Sequence, residues 1–223
     1  MNFEELTGQA TSHILQLEEP RFAAAPQTVR AFLAMREAAR LEGLELSVFS
    51  GFRDFNSQLR IWNMKAEGRR PLLDLSGEPL DYGSLTSEEI IEGILRWSAL
   101  PGASRHHWGS ELDLIDLNAM PPGYRVQLVL SEYSSEGVFG PLNQWLEARA
   151  EEFGFFRPYR IDRGGVAPEP WHLSLREISQ PRLDQLELAA LTKLLAGTNL
   201  GLRDEVLVKL PNIFEQYILN ICP

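Results

Sequence analysis

Apolar side chains at Val29, Phe32, Leu33, Met35, Ala38 and Ala39 recur at close to a 3.6-residue period, predicting a helix over Gln27–Leu41 that starts after Pro26 and stops at Gly43. Alternation at Leu44–Phe49 predicts a strand running into the turn Ser50-Gly51-Phe52-Arg53-Asp54. Phe55–Ala66 reads as a second helix, with Leu59, Ile61 and Trp62 and a stop at Gly68. The stretch Arg69–Leu85, rich in Gly, Pro and Asp, reads as a long loop of the kind that often borders a binding site. A third helix begins at Thr86-Ser87-Glu88-Glu89, buries Ile90, Ile91, Ile94, Leu95 and Trp97, and ends by Pro101-Gly102.

Leu112–Leu117 alternates again, a strand with Asp113 and Ile115 on one face. Leu142–Phe153 has helical spacing and Gly154 as its stop. Two prolines flank Glu169 and hold it extended at the entrance of a strand that contains His172. Outside this middle region, Thr11–Leu17 reads as a short strand, Leu183–Leu195 as a helix closed by Gly197, and Ile213–Ile221 as a strand with Ile213, Tyr217, Leu219 and Ile221 on one face. The expected fold is α+β, a single domain of helices packed around a small sheet.

The 223 residues are 44% hydrophobic, enough for a sizeable core without a second domain. A formal net charge of -10 argues against nucleic acid or an anionic membrane as partner, since either would need a basic face. Acidic Glu4 and Glu5 stand where a secretory signal would be basic, and no apolar run reaches membrane-spanning length, so the expectation is a cytoplasmic protein without a membrane segment. Cys222 is the only cysteine, which rules out an intrachain disulfide or a multi-thiolate metal site. Nothing in the pattern specifies an oligomeric state.

Candidate chemistry gathers in Ser104-Arg105-His106-His107-Trp108-Gly109-Ser110-Glu111-Leu112-Asp113 and in Glu169-Pro170-Trp171-His172. Imidazole and carboxylate ligands suit Zn²⁺, and three of them leave a coordination position open for chemistry. Spacing alone leaves either His106 or His107 as the ligand. Asp113, a lone carboxylate inside an apolar strand, needs a partner, and a metal is a better one than solvent. Glu169 in its proline-bracketed loop reads either as a base or as an exposed carboxylate. Arg53 is either delivered into a cleft or a surface group paired with Asp54. His13, isolated, reads as a surface or half-buried histidine, and Trp108 and Trp171 as packing walls.

Ser104, His106, Gly109 and Asp113 match S-x-H-x-x-G-x-A-x-D, Glu169-Pro170-Trp171-His172 matches E-x-W-H, and Ser50-Gly51-Phe52-Arg53 resembles S-G-[YF]-R with Gln58 at the expected offset. In that order and separation they resemble the D-alanyl-D-alanine metallopeptidases, which include VanY-type D,D-carboxypeptidases and VanX-type dipeptidases and share a fold with lysostaphin-type endopeptidases and the hedgehog zinc domain. The resemblance implies a small, mainly antiparallel sheet carrying the zinc site. Its core covers 44–175 within one domain, 1–223, flanked by an N-terminal helical segment, 1–43, and a C-terminal extension, 176–223.

Residue by residue, the resemblance implies His106, Asp113 and His172 as Zn²⁺ ligands, Glu169 as catalytic base, Arg53 as the group that stabilises developing charge, and Ser104 and Gln58 as substrate contacts or orienting residues. The implied activity is removal of a terminal D-alanine from a peptidoglycan stem peptide or another small D-Ala-terminated peptide. A D,D-dipeptidase or L,D-carboxypeptidase would use the same residues. The alternative from another class, a non-catalytic zinc-stabilised binding protein, has no use for Glu169 and Arg53 beside an open metal position. One departure concerns the pattern's Ala, replaced here by Glu111. On a regular strand Glu111 shares a face with Asp113 and either turns away toward an arginine such as Arg105 or faces substrate and alters specificity.

Overall fold

In the computed structural model, which describes residues 1–223, a short helix α1 (Phe3–Leu6) and a hairpin of β1 (Leu15–Glu18) and β2 (Arg21–Ala24) precede helix α2 (Pro26–Leu41). Strand β3 (Leu46–Ser50), helix α3 (Phe55–Ala66), helix α4 (Ser87–Leu95) and strand β4 (Glu111–Asp116) follow. Helix α5 (Gly140–Arg149), the short β5 (Phe155–Phe156) and β6 (His172–Leu175) complete the middle of the chain, and α6 (Arg176–Leu183), α7 (Leu188–Ala196) and α8 (Arg203–Ile213) form the tail.

Local chemistry accounts for most boundaries. Asp54 caps α3 by accepting from the Ser57 amide at 2.7 Å, so it is committed to the helix start and unpaired with Arg53. Thr86 and Glu89 form a reciprocal capping box on α4. Trp97, expected within that helix, lies past its end and donates from its indole to Leu73 O in the long loop. Gly154 adopts φ +81° where α5 and the 3₁₀ turn after it end.

The main sheet has four strands in the order β3-β4-β6-β5, all antiparallel. Its register sets Asp113 opposite both Ser50 and His172, and Glu111 opposite Ser174. All six residues of β4 are buried. The face carrying Leu112, Leu114, Leu173 and Leu175 joins a core with Phe32 and Met35 of α2 and Leu142 and Leu146 of α5. A second core gathers Trp62 of α3, Ile91, Ile94 and Leu95 of α4, Trp108, and Leu191, Leu195, Val206 and Leu210 of the tail.

Of two expectations for the tail, one is shifted at its start and the other fails. The predicted Leu183–Leu195 helix is present as α7 and stops at Gly197 as expected, but it begins five residues later, because the chain turns at 184–187 to bury Leu186 beside Leu183 and Leu191. The predicted Ile213–Ile221 strand is helical: α8 continues into a π-helical turn, Phe214–Leu219. Ile, Tyr and Phe favour strands locally, but the buried positions Val206, Leu210, Ile213 and Phe214 follow i, i+4, i+7, i+8, so packing against the second core decides. The N-terminal segment is also less helical than expected, since β2 runs alongside the site loops: the Phe52 amide donates to Ala23 O at 2.7 Å and the Ala25 amide to Gly109 O at 2.8 Å.

Gly109 sits at this crossing with φ +66°, and a Cβ there would lie 2.6 Å from Ala25 N and 2.5 Å from Ile14 Cδ1. Gly123, at φ +78°, has nothing within 4 Å. Gly123→Ala is therefore expected to cost only the left-handed strain, about 1–2 kcal/mol, and Gly109→Ala distinctly more, as measured by urea unfolding of the two variants.

Candidate metal and catalytic site

Strand pairing brings the first two polar groups together. Across β4 and β6, His172 Nδ1 lies 3.0 Å from Asp113 Oδ1. His106 comes from a 3₁₀ turn, Arg105–Trp108, that ends on left-handed Gly109 and leads into β4, and its Nε2 lies 3.5 Å from Asp113 Oδ2. Ligand atoms of His106, Asp113 and His172 all lie within 4.8 Å of one another, and all three residues are buried.

The 3₁₀ turn and the Ser50–Asp54 loop lock together through their backbones. The Arg53 amide donates to His106 O at 3.2 Å, and His106 Nδ1 donates to Gly51 O at 2.7 Å, which leaves Nε2 as the free lone pair facing Asp113. His107 differs: its Nδ1 donates to Arg53 O at 2.6 Å and its Nε2 accepts from the Gly102 amide at 3.1 Å. Both of its nitrogens are spent on backbone. The ambiguity between adjacent histidines is thereby resolved in favour of His106 as the one facing the cluster. His13 is half-buried, with Nε2 at 2.9 Å from His107 O.

Arg53 points into the site. Gln58 Oε1 and Ser50 Oγ accept from its guanidinium at 2.8 and 3.0 Å. Gln58, fully buried, uses its other end on Ala99 O at 2.7 Å and does not line the cavity, so its visible role is to hold Arg53. Ser104 does line the cavity, and its buried hydroxyl has no hydrogen-bond partner. Glu169 Oε2 stands 3.5 Å from His172 Nδ1, and the Glu169 amide donates to Tyr159 O at 2.9 Å. Glu111 is buried and absent from the cavity wall: it pairs with Arg105 and contacts the outer nitrogen of His172.

Burial gives these groups unequal charges. Desolvation takes His106 down to about 3, against the attraction of Asp113. Desolvation opposes charge on His172 too, but its bonds to Asp113 and Glu111 prevail and raise it to about 10. Desolvation lifts Glu169 to about 7, partly offset by His172, while Asp113 stays below its ordinary value because His106, His172 and Arg53 outweigh its own burial. The pair His106 and His172, with ring centroids 5.1 Å apart, thus holds one proton preferentially on His172.

The cluster opens onto a cavity of about 410 Å³ between the two cores. Trp171 forms part of its wall, as expected, whereas Trp108 lies outside it and anchors α1 by donating to Leu6 O at 3.0 Å. Several wall residues were not named from sequence, although the long loop that supplies two of them was expected to border a site. Arg70 and Leu73 come from the long loop, Tyr159 from the segment after β5, and Tyr217 and Ile218 from the tail. Lys65, drawn down to about 8 by burial and donating to Ser98 Oγ at 2.8 Å, looks in periodicity like any exposed helical lysine.

Because Glu169 binds its proton more tightly in the folded state than the ordinary value of 4.5, its contribution to stability is full below about pH 4.5 and is lost as pH rises through about 7. In chelator-treated protein, Glu169→Gln should therefore match wild type at pH 4.5 and exceed it above pH 7 by a few kcal/mol, on the order of 3, in urea titrations across that range.

A family model described as VanY, D-alanyl-D-alanine carboxypeptidase, matches residues 22–177, well over half of the chain. A Haemophilus influenzae protein described as uncharacterized is 32% identical over 131 residues, covering 58% of this chain and all of that protein. Among solved structures, VanYB in complex with D-alanine-D-alanine is similar with a TM-score of 0.55 at 20% identity, over 85% of this chain and 92% of that one. A mutant of the D,D-pentapeptidase VanY in complex with Zn(II) reaches 0.54 at 22% identity, over 88% and 92%. At those identities the structures establish the shared fold, and the family model covers all three motif blocks together with their intervening strands. This chain belongs to the VanY D-alanyl-D-alanine carboxypeptidase family.

Proposed function

We propose that the protein is a zinc-dependent D-alanyl-D-alanine carboxypeptidase that removes the terminal D-alanine from a peptidoglycan stem peptide or its cytoplasmic precursor, with His106, Asp113 and His172 as metal ligands. The observation that carries the proposal is the placement of a desolvated carboxyl, Glu169, beside a convergent His–Asp–His set at the floor of a cavity. The donor set fits zinc: two imidazoles have their outer nitrogens already engaged, by Gly51 O and by Glu111, so that His106 Nε2 and His172 Nδ1 both face the Asp113 carboxylate. Zinc held there supplies Lewis-acid polarisation of the scissile carbonyl and a bound water of lowered pKa.

The chain's own groups do the rest. Glu169 takes a proton from the attacking water and returns it to the leaving amine, a task suited to a carboxyl whose pKa burial has brought toward neutrality. Arg53, fixed by Gln58 and Ser50, presents positive charge to the oxygen on which negative charge develops. The partnerless Ser104 hydroxyl contacts substrate, and Gln58 serves to orient Arg53. Trp171 and Tyr159 shield the reacting bond from bulk water. A binding-only role would leave the largely desolvated Glu169 carboxyl, 13% exposed, and its cost unexplained.

Zinc content and D-alanine release from a stem pentapeptide, measured together, test this reading. Wild type should hold one zinc and release D-alanine, while Glu169→Ala keeps the metal and loses about 10²- to 10⁴-fold in kcat. Release only from a free D-Ala-D-Ala dipeptide, or only from a tetrapeptide ending in an L,D linkage, would instead assign the dipeptidase or L,D-carboxypeptidase activity. Arg53→Lys, which cannot span Gln58 and Ser50 at once, should lower kcat by about 10²- to 10³-fold with zinc content unchanged, read from steady-state kinetics.

A further inference from the structure

Behind His172 lies a buried polar cluster that faces neither solvent nor the cavity. Glu111 Oε2 accepts from His172 Nε2 at 2.8 Å. Its Oε1 accepts from Ser110 Oγ at 2.7 Å and from Ser174 Oγ at 2.8 Å. Arg105 Nε lies 3.4 Å from Oε2, while Arg105 Nη2 donates to Ser174 Oγ at 2.7 Å and its guanidinium stacks over Trp108. Ser179 Oγ is 2.8 Å from Ser174 Oγ. Every one of these side chains is buried, Glu111 completely.

The position is the one where S-x-H-x-x-G-x-A-x-D has alanine, a side chain that cannot make any of these bonds. We propose that Glu111 is a positioning residue for His172: by accepting from Nε2 it fixes the ring's rotation and tautomer so that Nδ1 is the nitrogen turned toward Asp113 and the metal. The inference rests on the zinc-site reading above.

Three geometric facts support it. The imidazole is gripped at both ring nitrogens, Glu111 at Nε2 and Asp113 at Nδ1, so rotation about its bond to the chain would break both contacts. The gripping carboxylate cannot drift, because two hydroxyls hold its other oxygen and Arg105 its charge. The i, i+2 spacing on β4 puts Glu111 and Asp113 on one face, with Ser174 and His172 directly opposite them on β6, so positioner and ligand are carried by the same two hydrogen-bonded strands. His106 has the corresponding arrangement with a backbone carbonyl, Gly51 O, in place of a side chain. Because Glu111 is walled off from the cavity, the same geometry removes any direct effect on substrate choice.

A carboxylate hydrogen-bonded to the outer nitrogen of a metal-bound histidine typically accounts for about 10- to 100-fold in metal affinity. The test is zinc affinity by chelator competition for wild type, Glu111→Gln and Ser179→Ala, with ¹⁵N-histidine NMR of the zinc-loaded wild type. Glu111→Gln should bind zinc about 10- to 100-fold more weakly, with Ser179→Ala, which trims the cluster without touching the ring, unchanged. The NMR spectrum should show His172 protonated at Nε2 and metal-bound at Nδ1. Equal affinity for wild type and Glu111→Gln, an equal loss in Ser179→Ala, or metal on His172 Nε2 would overturn the proposal while leaving the zinc site intact. Wild type that takes up no zinc would remove both. Should Glu111→Gln fail to fold, the wild-type spectrum decides by itself.

Discussion

Everything at this site depends on the antiparallel pairing of β4 with β6, which sets Asp113 opposite His172 in a sheet whose central strand is buried throughout. Charged and polar groups in such a place must find partners or lose their charge, and here they find one another. The pairing supplies two of three candidate ligands at fixed separation, and the third needs only to approach from the loop that feeds β4. Desolvation then makes the cluster reactive: the burial that holds the sheet together depresses His106 and raises Glu169.

Placement of the loops is a matter of backbone contact. The Arg53 amide on His106 O, His106 on Gly51 O and His107 on Arg53 O tie two segments that are about fifty residues apart into one unit. That unit rests on β2 through Phe52 and Gly109, at a separation too small for a side chain at position 109. His107 matters to the site as a brace, with a residue's usual chemical options removed by two backbone bonds. The C-terminal helices complete the arrangement, since they fill the second core and send Tyr217 and Ile218 to the cavity wall.

The two cluster histidines show how one residue type takes different roles from different second partners. His106 leans on a neutral carbonyl and is readily neutral, whereas His172 lies between two carboxylates and favours the proton when no metal competes for it. A metal ion at Nδ1 would replace that proton, so the carboxylates that favour the charged ring also favour the cation that displaces it. Against the desolvation of complete burial, the charge of Arg105 and then the His172 bond lower the Glu111 carboxyl to about 2.

The amino-acid sequence determined by itself the middle of this molecule. Hydrophobic period, Pro and Gly punctuation and capping residues mark α2, α3, the start of α4 and strands β3 and β4 to within a residue or two, with β6 placed at His172, and the three motif blocks name His106, Asp113, His172, Glu169 and Arg53. These are short-range signals, carried within one turn or one strand. Tertiary structure alone decided that His107 spends both nitrogens on backbone, that Glu111 turns from substrate toward His172, that Gln58 braces Arg53, and that the tail is helical and lines the cavity. Each of those outcomes turns on a partner dozens of residues away, such as Gly51 O for His106 or Leu210 and its core for Phe214, and no local spacing encodes which lone pair or which face will be left free when those partners arrive.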